Sequence, residues 1–153
     1  MDNCAYLLEQ AKREGIEKNI VGAIIINKNE KILIMSRKSD DFMGGIDELP
    51  SGNMETGEDM ITALSREVKE ETNCDMKEIV CYIDSFDYKS GSGKKARQYN
   101  FAIKVEQTDN IILTEHDAYT WQTVEEAIDN PKITNEVKET IKKYRKIMEK
   151  NSN

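Results

Sequence analysis

Glu67, Glu70 and Glu71 stand at i, i+3 and i+4 in the stretch "REVKEET", close in sequence to Asp47, Glu48, Glu55, Glu58 and Asp59. At 100° per residue the three glutamates leave one side of a helix together. Like charges at those spacings destabilise a helix by roughly 0.2–0.5 kcal/mol per pair. Arg66 is placed to reach Glu70, whereas Lys69 projects toward another side. A hard divalent cation would make the crowding favourable. Mg2+ takes oxygen ligands, keeps several waters and bridges carboxylates to the phosphates of a substrate. It would also draw a polyphosphate to an acidic protein and stabilise charge as phosphorus is attacked. Taken alone, the stretch reads more readily as a solvated face in a glutamate-rich chain.

The elements that must position these acids can be read from periodicity and caps. A helix is expected from Met60 to Thr72, with Asp59 as its N-cap and Asn73 tolerating a left-handed C-terminal cap. Ile61, Leu64 and Val68 are its expected buried stripe. Residues 3–14 read as a short amphipathic helix with Leu7, Leu8 and Ala11 on its apolar face. "NIVGAIIIN" and "KILIMS" are β-branched runs that read as a hairpin turning near Asn29. "RKSDDFMGGIDELPSGN" reads as a glycine-containing loop with a short extended piece at Glu48–Leu49. "MKEIVCYIDSFDYK" and "RQYNFAIKVE" are strands joined by the basic "SGSGKKA" loop, and "YTWQT" is a further short strand. "VEEAID" is a short helix stopped before Pro131, and a C-terminal helix is expected over 133–149 with Ile133, Val137, Ile141 and Tyr144 along one face. Strands interrupted by helices in this order predict a mixed sheet covered by helices, in one domain over 1–153.

Bulk properties narrow the function classes. The net charge of −7 argues against polymeric nucleic acid as a partner, and a polyanionic substrate would need cations to mediate its binding. No apolar run is long enough to span a membrane, and the N-terminus lacks the regions of a signal peptide. Cys4, Cys74 and Cys81 lack CxxC spacing, which suits a reducing cytoplasm and argues against a disulfide framework or a zinc site. Oligomeric state is left open, a homodimer included.

The acids belong to a longer pattern, Gly-x5-Glu-x7-Arg-Glu-apolar-x-Glu-Glu-x-turn-apolar. Gly52, Glu58, Arg66, Glu67, Val68, Glu70, Glu71, Asn73 and Cys74 occupy its fixed positions. This resembles the signature of the Nudix (MutT-like) hydrolases, and "ELPSGNMETGE" is similar to the loop leading into that family's catalytic helix. The signature covers 52–74, and the element order resembles the family's α/β/α sandwich from about Asn19 onward.

The resemblance implies a hydrolase that cleaves a nucleoside diphosphate linked to another group, using Mg2+ or Mn2+ and a water that attacks phosphorus. It implies Glu67, Glu70 and Glu71 as metal ligands, Glu58 as an accessory ligand or partner of Arg66, and the Ser51 carbonyl as a further ligand. Glu70 and Glu67 then carry the chemistry with Arg66 orienting a glutamate, and Gly52 allows the tight loop. Glu115, six residues before Trp121, occupies the place of an extra glutamate in some members; it would bind metal or act as general base, and is otherwise a solvated loop acid. Asn73 replaces the usual glycine, Ser51 the first of a common glycine pair, and Asp47 an aromatic, which puts base recognition at that position in doubt.

Other candidates carry less. Lys94, Lys95 and Arg97 could clamp distal phosphates or be solvated hairpin charges. Of Tyr82, Phe86, Tyr88, Tyr99 and Phe101, some must pack in the core and one could stack on a base. His116 reads as a surface or hydrogen-bonding residue, and Asn135 as part of a helix N-terminus. The leading substrate is a free (d)NTP or damaged (d)NTP, giving nucleoside monophosphate and pyrophosphate. A nucleotide sugar or ADP-ribose is the alternative, and a non-catalytic nucleotide-binding module is the third reading.

Overall fold

The computed structural model describes residues 2–37 and 45–152, so part of the glycine-containing loop, residues 38–44, lies outside the described residues. In chain order the elements are α1 (Asp2–Arg13), β1 (Lys18–Ile25), β2 (Ile32–Arg37), β3 (Asp47–Glu48), β4 (Ser51–Asn53), α2 (Met60–Thr72), β5 (Met76–Lys89), β6 (Lys95–Val105), β7 (His116–Gln122), α3 (Val124–Asp129) and α4 (Asn135–Asn151). Among the described residues the strands form two sheets, ordered β4-β1-β6-β5 and β3-β2-β7. β1 runs parallel to β6, and the other pairings are antiparallel, so the larger sheet is mixed.

β1 and β2 explain why there are two sheets. Ile20–Ile25 are all buried in β1, as are Ile32–Met35 in β2, so each strand needs cover on both faces. One apolar cluster joins Val21, Ala23, Ile25, Leu33, Met35, Tyr99, Phe101 and Ile103 to the inner faces of α1 and α2. A second joins Ile24, Ile26, Ile32, Ile34, Leu49 and Ala102 to α3 and α4. Helices therefore cover both faces in the expected α/β/α layering.

The hairpin expected from β1 and β2 does not form. The turn is present, closed by the Asn27 side chain accepting from the N–H groups of Asn29 and Lys31 and by Glu30 at φ 61°. Beyond an Ile26–Ile32 bridge the strands part into different sheets. Two strands that are apolar on both faces each recruit other partners, β6 and β4 for one and β7 and β3 for the other.

Three further boundaries differ from expectation. The buried residues of α2 are Met60, Ala63, Leu64, Val68, Glu71 and Thr72, with Ile61 only partly buried, because the helix also packs against α1 and β4. Ile133 is buried but precedes α4, which starts after Thr134 caps it through the Val137 N–H, and Ile133 bridges Asp47 instead. The last strand begins at His116, three residues before Tyr119. Among the described residues no helix is long and apolar enough to cross a membrane.

The caps of α2 are as read. Asp59 accepts from the Thr62 N–H at 2.8 Å, and Asn73 adopts φ 65°, ψ 12° with its N–H on the Lys69 carbonyl. A β-branched residue in that left-handed cap costs roughly 1–2 kcal/mol. Asn73→Val should therefore lower the urea-unfolding free energy by about that amount, while Asn73→Gly, which accepts the same φ, should lose less. Equal midpoints for Asn73→Val and the wild type would show that this cap does not hold the helix end.

Candidate active site

Arg66 is the centre of the acidic cluster. Its Nε and Nη2 grip both oxygens of Glu58 at 2.7 and 2.8 Å, and Nη2 also reaches the Asn53 carbonyl at 3.0 Å. Nη1 donates to Glu67 at 2.8 Å and to Glu70 at 3.2 Å. One guanidinium thus gathers an acid from the loop before α2, two acids of α2 and the end of β4. Only a planar group with five fixed donors can satisfy so many acceptors at once. The fork holds the Glu58 carboxyl down to about 2, and the acids in turn raise the pKa of Arg66.

The three helix glutamates sit in different surroundings. Glu70 is open, its side chain 57% exposed. Glu67 lies over β4, and burial raises its pKa despite the Arg66 bond, with Glu70 and Glu115 adding to the rise. Glu71 is buried. Burial pushes its carboxyl up to about 7, against the Ser51 N–H that donates to Oε1 at 2.7 Å. Burial disfavours the charged form of the Glu67 and Glu71 carboxylates, and an opposite charge beside them would favour it.

Glu115 reaches the cluster through the loop that carries it. The Ile112 N–H donates to the Thr72 carbonyl, Asn73 Nδ2 to the Asn110 carbonyl and Thr114 Oγ1 to the Glu70 carbonyl. These bonds lay the loop along the last turn of α2 and leave Glu115 exposed, near enough to act on Glu67.

Gly52 acts differently from the expected role. It is a strand residue of β4 paired with Val21, without the positive φ of a tight turn. A Cβ placed on it would overlap the Glu67 carboxylate. Glycine is there so that a charged side chain can lie flat on the strand.

The basic candidates lie on the β5–β6 hairpin, where the Lys95 N–H donates to Glu17. Lys94 and Lys95 are exposed. Arg97 is committed elsewhere, with Nε and Nη2 on Asp87 at 2.6 and 2.9 Å and Nη2 on Glu14 at 2.6 Å. Of the aromatics, Tyr99 and Phe101 are core residues, Tyr82 meets Phe101 edge-on, and Tyr88 is 39% exposed.

Two site residues were not read from sequence in this role. Glu48 pairs with Arg37 at 2.6 Å, and His116 Nε2 lies 2.7 Å from Glu48 Oε2. Burial opposes the charge of Glu48, but the His116 and Arg37 bonds outweigh it and lower its pKa. Burial likewise opposes charge on His116, yet the Glu48 bond and the nearby Glu71 raise it. Sixty-eight residues separate Glu48 from His116, so no local pattern connects them.

Among the described residues no three acidic, cysteine or imidazole groups close on one point as a finished ligand shell; Arg66 spans the gap between Glu67 and Glu70. The donor set is nevertheless all oxygen and net negative, which suits Mg2+ or Mn2+ and fits neither a thiolate nor a zinc-type site. Glu67, Glu70 and Glu71 could hold such an ion; of the other expected ligands, Ser51 meets Glu71 through its N–H, and both oxygens of Glu58 are taken by Arg66.

Gly52→Ala should displace the Glu67 carboxylate while leaving the strand intact. If the chain hydrolyses as its resemblance implies, turnover should fall about tenfold or more with an unchanged melting temperature, since the clash is with the end of a flexible side chain. Wild-type turnover in this variant would mean that Glu67 need not lie on β4.

Comparison with known proteins agrees with this geometry. Residues 17–144 match the family model described as NUDIX domain. The chain is 32% identical over 119 residues to Nudix hydrolase 2 of Arabidopsis thaliana, covering 75% of this chain and 42% of that protein. It is 48% identical over 48 residues to the ADP-ribose pyrophosphatase of Methanocaldococcus jannaschii, covering 31% of this chain and 28% of that protein. The chain therefore spans less than half the length of these relatives. The MutT protein from Methanosarcina mazei Go1 superposes with a TM-score of 0.72 over 88% of this chain and 96% of its own, at 21% identity, which is a likeness of fold. With its signature residues assembled around Arg66 and its domain matched over 17–144, the chain belongs to the NUDIX domain family.

Proposed function

We propose that this domain is a divalent-metal-dependent pyrophosphohydrolase of small nucleotides, with Glu67, Glu70 and Glu71 as the metal-holding acids. The observation that carries this reading is the imbalance of charge at Arg66. One guanidinium faces Glu58, Glu67 and Glu70, while Glu71 beside them is pushed up to about 7 by burial. A cluster in that state would gain from a cation, and a cation held there would supply positive charge for phosphate oxygens.

The chain's own residues would divide the work as follows. Glu58 anchors Arg66, and Arg66 fixes the carboxylates of Glu67 and Glu70. The Ser51 N–H holds one oxygen of Glu71. Glu70 and Glu115 are the exposed acids, open to a water that attacks phosphorus, and the proton this water loses passes to a carboxylate oxygen of one of them. A bound Mg2+ or Mn2+ would neutralise the phosphates and lower the pKa of that water. Lys94 and Lys95 are the proposed contacts for distal phosphates, while Arg97 would have to leave Asp87 and Glu14 to join them.

Free (d)NTPs, including damaged ones, are the proposed substrates, with nucleoside monophosphate and pyrophosphate as products. The 38% identity over 74 residues to an 8-oxo-dGDP phosphatase of Danio rerio supports a free, damaged nucleotide as substrate. The second reading is ADP-ribose or a nucleotide sugar, favoured by the 48% identity over 48 residues to an ADP-ribose pyrophosphatase. The free thiols of Cys4 and Cys74, buried without a disulfide, support action in a reducing compartment.

A product assay decides among these readings. Wild-type protein with Mg2+ or Mn2+ should release pyrophosphate from (d)NTPs, and Glu70→Gln should lower turnover at least about a hundredfold with the melting temperature unchanged. Release of a sugar phosphate from ADP-ribose in place of pyrophosphate from (d)NTPs selects the second reading. Equal turnover in Glu70→Gln and wild type would put the chemistry elsewhere.

A further inference from the structure

The His116 side chain is only 7% exposed, yet its Nδ1 has no hydrogen-bond partner. Buried polar atoms are nearly always satisfied, so an orphan calls for a cause. Nε2 is taken by Glu48 at 2.7 Å, and because a carboxylate accepts, the Nε2 proton belongs to that bond. Nδ1 is left facing Glu71 Oε2 at 3.7 Å, just beyond hydrogen-bond reach, so a carboxylate stands at each ring nitrogen and the ring serves both as a donor only when each nitrogen carries a proton. Across the same carboxylate, the Ser51 N–H already holds Oε1 at 2.7 Å.

The ring cannot easily turn away. Glu48 is gripped by Arg37 through Nη2 at 2.6 Å and Nε at 3.2 Å. Arg37, Glu48 and His116 come from β2, β3 and β7, which are adjacent strands of one sheet, and Arg37 stands opposite His116 in the register. A chain of three side chains on a hydrogen-bonded sheet therefore points one imidazole edge at one oxygen of a helix glutamate. Side chains behind metal ligands commonly act this way, and losing one costs tenfold to a hundredfold in metal affinity.

We propose that His116 is a positioning residue for Glu71: backed by Glu48 and Arg37, its Nδ1 edge fixes one oxygen of that carboxylate while Ser51 fixes the other, so that Glu71 is presented to the metal in a single orientation. The inference rests on the metal-dependent reading above. It differs from a plain structural tie between the small sheet and α2, because a tie needs only the ring's bulk and its Glu48 bond.

Three substitutions separate the two roles, read by the free-Mn2+ EPR signal in titrations of the nucleotide-free protein, with thermal unfolding as the control. His116→Ala should weaken Mn2+ binding about tenfold to a hundredfold. In His116→Asn the amide nitrogen falls near the place of Nδ1 and should recover part of that affinity. In His116→Gln the amide falls near the place of Nε2, reaches Glu48 and should recover none. A purely structural tie predicts the reverse order, with Gln the better replacement. Mn2+ affinity in His116→Ala within about twofold of wild type, or equal affinity in the Asn and Gln variants, overturns the proposal. Should His116→Ala fail to fold, the comparison of Asn with Gln decides alone. Wild-type protein that captures no Mn2+ overturns the functional reading and this inference with it; wild-type capture with unaffected variants overturns only the inference.

Discussion

Arg66 holds one positive charge against the carboxylates of Glu58, Glu67 and Glu70, and the rest of the site is arranged around that unequal contact. Because the guanidinium is planar and its donors are fixed, Glu58 takes two of them and is locked, while Glu67 and Glu70 share the third nitrogen. The sharing leaves both helix acids incompletely neutralised. Glu71 stands one residue beyond, out of water, with a backbone N–H and a distant imidazole edge as its company. In hydrophobic terms the cluster is costly. In chemical terms it is a cluster with too little positive charge, which on the proposed reading a hard cation supplies.

The fold exists, at this end, to keep the cluster from relaxing. α2 cannot rotate, because Met60, Ala63, Leu64 and Val68 are locked into the core shared with α1, β1 and β6. It cannot slide, because Asp59 and Asn73 cap its two ends and the Asn110–Thr114 segment is hydrogen-bonded along its last turn. β4 comes within reach of Glu67 because Gly52 has no side chain. The small sheet contributes from the other side, where Arg37, Glu48 and His116 form a row that ends at Glu71. Each acid is therefore held by an element whose own position is fixed by apolar packing elsewhere.

The parts of this arrangement that are local in sequence were legible. The limits of α2, the Asp59 and Asn73 caps, and the reach of Arg66 to Glu70 follow from helical spacing within a few residues, whereas its bond to the adjacent Glu67 does not. A mixed sheet covered by helices followed from element order, and the α/β/α layering from the family resemblance. What could not be read depends on pairing between distant segments. β1 and β2 look like a hairpin because they are apolar and close, but burial on both faces sends them to different sheets. Ile61 fits a helical stripe as well as Ala63, and only the packing of α1 and β4 on α2 decides between them. Glu48 and His116 show nothing unusual in sequence; their roles arise when β3 and β7 flank β2. Gly52 was legible as a required glycine but not for its reason, which is the side chain of a residue fifteen positions later.

On the proposed reading a divalent ion occupies the space among these carboxylates. This occupancy is tested most directly by anomalous diffraction from crystals of the protein soaked in Mn2+. The account predicts a peak within about 2–2.5 Å of carboxylate oxygens from Glu67, Glu70 and Glu71, with Glu70 or Glu67 drawn off Arg66 toward it. A map with no peak among those residues, and with both acids still hydrogen-bonded to Arg66, would contradict it.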